Sequence, residues 1–103
     1  MATIITQGLT FEGELRADDE IEIAGTVRGK VHAEGAVTVA EGAVAEAEIE
    51  ARAVAVAGRV TGNVTAEERV DIQAGGRLVG DVRAARLTIA DGASFKGNVD
   101  MDV

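Results

Sequence analysis

The sequence predicts an all-β fold: a single right-handed parallel β-helix of about six rungs, with three short faces per rung. Three observations carry this expectation. A repeat recurs through the 103 residues, apolar and polar positions alternate with period two inside each copy, and the apolar content is chiefly Val, Ala, Ile and Leu. Side chains that are small or branched at Cβ fit a pleated surface better than a helix. Thirteen Gly and no Pro supply many bending points and no strand position that lacks a donor.

Six segments fall into one register: residues 11–17, 27–33, 45–51, 60–66, 78–84 and 95–101. The first position is apolar, the third is Gly or Ala, the fifth is Leu, Val or Ile, and the seventh is Ala or Met. The even positions are polar except for Val79. Such alternation describes a strand with one buried and one wet face. A second short strand precedes most copies, at 21–23, 37–39, 54–56, 70–72 and 87–89, with aliphatic first and third residues and a polar middle one except at Ala55.

Successive copies begin 16, 18, 15, 18 and 17 residues apart. That interval is too short for a strand, a crossover helix and their turns, so three short strands joined by bends are expected instead. Gly25, Gly42, Gly58, Gly75, Gly76 and Gly92 stand where the chain is expected to bend. The right hand follows from the general preference of parallel crossovers. Stacked at about 4.8 Å per rung, the chain forms a rod on the order of 30 Å long.

The tiny third column, Gly13, Gly29, Ala47, Gly62, Gly80 and Gly97, is expected to leave axial room for larger inward neighbours. On the outer face the same register places Arg28 between Glu12 and Glu46, and Lys30 between Glu14 and Glu48. Alternating charge along a ladder favours this register over a slipped one.

The formal net charge is −8, which argues against DNA, RNA or anionic lipid as a partner of the domain body. Cysteine is absent, so neither disulfides nor thiolate metal sites are available. No cofactor is expected. No apolar run approaches a membrane span and no signal-peptide pattern opens the chain, so the cytoplasm is the expected compartment.

The single histidine, His32, falls in an outward column between Arg16 and Glu50. A left-handed hexapeptide-repeat acyltransferase would need a histidine base in a cleft with an orienting partner, and regular eighteen-residue rungs. Neither is expected here. Carbohydrate-active β-helices lean on aromatic platforms, and this chain has no Trp or Tyr. The acidic groups Asp18, Asp19 and Glu20, and Asp100 with Asp102, read as solvated loop charge, since the Gly-rich calcium-binding nonapeptide is missing.

The two Phe, Phe11 and Phe95, occupy the same core column in the first and last copies, where internal copies carry Val, Ala, Val and Leu. Either the rings plug the ends of the core, or each forms half of a subunit interface; the readings are compatible. Neither end shows a segment that reads as a capping helix, so both edges are expected to be open to pairing.

The pattern Ile-x-Ile-x-Gly-x-Val-x-Gly-x-Val, met at residues 21–31 and in its Val form at 54–64, resembles the bactofilins, as does the closing Ala-Ser-Phe-Lys-Gly-Asn-Val of 93–99. The resemblance covers residues 1–103 as one domain. It implies a cytoskeletal protein that polymerises without nucleotide into nonpolar filaments, joined head to head and tail to tail. The implied role is to scaffold cell shape, polarity or the placement of cell-wall enzymes. The expected interface set is Phe95, Phe11, Leu87, Ile89, Val99, Met101 and Leu15. Many family members attach to the inner membrane through a short amino-terminal peptide; Met1 to Ile5 reads as a first strand rather than a remnant of that anchor. The alternative is a non-polymerising rod that binds a protein partner through its outer walls, with Val79 as the candidate contact.

Overall fold

The computed structural model describes residues 3–101. Met1, Ala2, Asp102 and Val103 lie outside the described residues, as do the side chains of Thr3 and Met101. The expectations for the first two residues and for the Asp102 carboxylate therefore have no structural counterpart.

Thirteen strands, all paired in parallel, form one continuous sheet wound into a solenoid. In chain order they are β1 (Thr3–Ile5), β2 (Thr10–Ala17), β3 (Ile21–Ile23), β4 (Thr26–Ala33), β5 (Ala36–Val39), β6 (Val44–Val56) and β7 (Arg59–Thr61). They continue as β8 (Val64–Ile72), β9 (Arg77–Val79), β10 (Val82–Ala84), β11 (Arg86–Ile89), β12 (Ser94–Lys96) and β13 (Val99–Met101). The turns of the solenoid stack three ladders of six strand segments. Residue 5 begins one ladder with Ile23, Val39, Val56, Ile72 and Ile89 above it. A second aligns Phe11, Val27, Ala45, Val60, Leu78 and Phe95. A third aligns Leu15, Val31, Ile49, Val64, Val82 and Val99.

These columns meet on the axis and form the core. Every buried side chain among the described residues is apolar, and no buried side-chain polar atom lacks a partner. Val27, Val60 and Leu78 are fully enclosed, as are Ile23, Val39 and Val56. Each fully buried aliphatic contributes roughly 1.5–3 kcal/mol, which offsets the backbone entropy that no single rung could meet alone.

The uneven repeat length is absorbed at corners. Between the first and second faces, the corner at Thr6 to Leu9 is a four-residue turn closed by the Leu9 amide donating to the Thr6 carbonyl (3.2 Å). The next corner is the dipeptide Ala24-Gly25, whose two amides both donate to the Ile5 carbonyl (2.7 and 3.1 Å). The four-residue form returns at Ala40 to Ala43 (3.0 Å) and the short form at Ala57-Gly58. Another shift falls at the corner from the third face back to the first, where β6 pairs with β8 irregularly between Ala51 and Ala53.

The role expected for the tiny column is corrected. Gly13, Gly29, Gly62, Gly80 and Gly97 do not make axial room; they form a corner where φ lies between 117° and 141°. Residues with a Cβ adopt that region rarely and under strain. A methyl at Gly80 would overlap the carbonyl oxygen of Gly62 one rung below. Ala47 interrupts the column: it has no positive φ and is buried.

Candidate functional site

The distinctive chemistry of this molecule lies at its two ends. Among the described residues β1 pairs only with β3 and β2 only with β4, so the first rung keeps one backbone edge free of partners there. At the other end of the described residues β11 pairs only with β8, β12 with β9 and β13 with β10. Both ends thus present unpaired strand edges around an incomplete layer of core.

The residues expected at these ends are all there. Phe11 and Leu15 sit half-buried on β2 against the enclosed core, and Leu87 and Phe95 do the same on β11 and β12. Ile89 and Val99 are 46% and 40% exposed, although they continue columns that are shut to solvent in every inner rung. Met101 extends the third face on β13, and its side chain lies outside the described residues.

Sequence reading missed Ile4 and Leu9, which are 56% and 55% exposed at the first rung. Ile4 takes the outward position of β1, beside Glu22. The adjacent Ile4-Ile5 pair held the signal, because only one of two neighbours on a strand can face inward.

The outer walls are lined by charge. Arg28 forms ion pairs with Glu12 (3.6 Å) and with Glu46 (3.3 Å), as its place between them led us to expect, and all three side chains are exposed. Glu14 turns instead to Arg16 on its own strand, at 3.0 Å. His32 lies between Arg16 and Glu50 as expected, and its Nδ1 is 3.2 Å from Glu50 Oε2. The imidazole stands in an open trough of about 410 Å³ with Glu34, Arg52 and Glu67 around it. Val79, the candidate wall contact, is half-buried in register with Thr61 and Lys96. Among the described residues no three carboxylate, imidazole or thiol groups cluster as a metal site. Among the described residues no helix is long and apolar enough to cross a membrane.

Known proteins share this architecture. The family model described as "Bactofilin: Polymer-forming cytoskeletal" matches residues 3–100. The chain is 46% identical to bactofilin BacO of Myxococcus xanthus over 98% of its own length and 80% of the relative's. Bactofilin BacP of the same organism is 36% identical, and there the match takes in 96% of this chain but 41% of the relative. The cryo-EM reconstruction of Thermus thermophilus bactofilin double helical filaments superposes with a TM-score of 0.91 at 33% identity, over 97% of this chain and 99% of that one. The solid-state NMR structure of the cytoskeletal bactofilin BacA gives 0.88 at 32%, over 99% and 97%. With the repeat, the three-faced solenoid and these relatives in agreement, the chain belongs to the bactofilins, a family of polymer-forming cytoskeletal proteins.

Proposed function

We propose that this chain polymerises end to end through its two open rungs, like with like, into a nonpolar filament. The observation that carries the reading is the pairing of free strand edges with an unfinished apolar layer at both ends. Stacking a second copy on either end extends the ladders and encloses Phe95, Leu87, Ile89, Val99 and Met101 at one junction, and Phe11 and Leu15 at the other. An isologous junction sets Phe95 near its own counterpart across a two-fold axis. Strand pairing and apolar burial supply the driving force, so no nucleotide is needed. Such a rod serves as a cytoplasmic scaffold for cell shape, polarity or the placement of cell-wall enzymes. The role is structural rather than catalytic: His32 has an exposed carboxylate beside it in an open trough.

Negative-stain electron microscopy of the protein beside Phe95→Arg tests this. Filaments without added nucleotide, lost in a variant that keeps its β-sheet circular dichroism, are expected, because the guanidinium would be buried unpaired at the junction. A monodisperse monomer for the unmodified protein would overturn polymerisation and favour the scaffold that binds a partner through its walls.

A further inference from the structure

The net charge of the chain is concentrated in its first half, with Asp102 the one excess carboxylate of the second. Residues 3–52, the first three rungs and their corners, hold eleven carboxylates against four Lys and Arg. Residues 53–101, the last three rungs, hold six of each. Within the first rung, residues 3–20, the imbalance is already five to one, with Glu12, Glu14, Asp18, Asp19 and Glu20 set against Arg16. The last rung, residues 86–101, is balanced by Arg86 and Lys96 against Asp91 and Asp100.

Uncovered core is distributed the opposite way, since the exposed Ile4 and Leu9 of the first rung lie outside the core columns. At the first rung the inward Ile5 is already buried within the single chain, whereas its counterpart at the last rung, Ile89, is 46% exposed. Val99 adds further apolar surface to the same end. One end therefore carries uncovered core with a side-chain charge of only −1 once Asp102 is counted, and the other carries −4 with less uncovered core.

We propose that the two junctions of the filament are energetically unequal: the carboxy-terminal ends pair first and constitutively, and the amino-terminal ends form a junction gated by ionic strength. The inference rests on the end-to-end, like-with-like assembly proposed above. Joining two first rungs brings their excess carboxylates within a strand spacing or two of each other, about 5–10 Å. At about 0.01 M salt the screening length is roughly 30 Å and this repulsion acts across the whole junction; at about 0.3 M it falls below 10 Å. Burial of Phe95, Ile89 and Val99 at the other junction has no comparable dependence. The unit of assembly at low salt is then a dimer joined through its carboxy-terminal rungs, and added salt or a multivalent cation links dimers into filaments.

Sedimentation velocity of the full chain at about 0.01 M and about 0.3 M NaCl distinguishes the outcomes. The expected result is a discrete dimer at low salt and filaments at high salt. The low-salt dimer should become a monomer in Phe95→Arg. The triple variant Glu12→Gln, Asp18→Asn, Glu20→Gln, which removes three exposed carboxylates from the first rung, should form filaments at low salt. Filaments of the unmodified chain at both salt levels would overturn the unequal junctions and leave polymerisation standing. A low-salt dimer that survives Phe95→Arg would overturn the assignment of the stronger end. A monomer under every condition would overturn polymerisation itself and this inference with it.

Discussion

Phe11 and Phe95 close opposite ends of one unbroken core column: Phe11 is the register partner of Val27, and Phe95 that of Leu78. Both rings are half-buried, while Val27, Val60 and Leu78 between them are sealed from solvent. Each ring is thus only half packed by its own chain. At physiological salt, Phe11→Arg should leave dimers joined through the carboxy-terminal rungs. Phe95→Arg should leave at most dimers joined through the amino-terminal rungs, and the double variant should be a monomer. Size-exclusion chromatography with light scattering reads all three. Filaments in the double variant would show that the ends are not the polymer interface.

The third column separates monomer stability from assembly. Ile49 is fully enclosed in the third rung, with Val31 and Val64 as its neighbours, and Leu15 ends the same column half-buried. In a Phe95→Arg, Phe11→Arg background, Ile49→Ala should cost about 3–4 kcal/mol, within the range for a buried aliphatic cut to Ala. Leu15→Ala should cost roughly half as much, since less of it leaves water. Urea unfolding followed by circular dichroism measures both. Equal costs would contradict the enclosed and half-open positions.

The corner glycines give a directional prediction. A Cβ at Gly80 meets the carbonyl of Gly62, and one at Gly29 meets Gly13, so these methyls all point toward the preceding rung. Among the described residues no rung precedes Gly13, and a Cβ there meets nothing within 4 Å. Gly80→Ala combines a φ of 134° with a backbone overlap, and should cost more than about 3 kcal/mol or prevent folding. Gly13→Ala pays only for its φ of 126°, about 1–3 kcal/mol, and its methyl projects off the end of the rod. The variant should fold and yet fail to join amino-terminal ends. Normal filaments from Gly13→Ala would show that no second copy stacks closely there.

The register of the fold was legible because alternation with period two has no second solution. Shifting residues 27–33 by one would bury Arg28, Lys30 and His32 and expose Val27, Val31 and Ala33. Pairing of the two Phe in one column followed from the same register. The reason for the glycine column was misread, because a repeated Gly records only that Cβ is forbidden, and crowding on the axis and a positive φ at a corner forbid it alike. Ala47, with its ordinary φ, shows that the corner is not uniform. Ile4 and Leu9 escaped notice because they lie outside the six aligned copies. The unequal distribution of charge was present in the sequence throughout. It acquires meaning only when the rungs are known to follow the chain along an axis, so that sequence position becomes distance from an end.

The charged wall should matter little to the stability of the single chain. Arg28 bridges Glu12 and Glu46 across three rungs, but its side chain is 55% exposed and both partners are at least half exposed. Exposed pairs of this kind contribute about 0–1 kcal/mol and weaken with salt. Arg28→Ala should therefore destabilise the non-polymerising double variant by at most about 1 kcal/mol in low salt. The effect should shrink toward zero as salt is raised. His32→Ala, which removes an exposed ring beside Glu50, should change stability by less than about 0.5 kcal/mol and leave filaments intact. Urea midpoints at two salt concentrations, with electron microscopy of His32→Ala in the otherwise unmodified chain, check both. A large loss of stability at Arg28 would mean that the ladder holds the register more strongly than its exposure allows. Loss of filaments in His32→Ala would move the search for an interface from the ends to the walls.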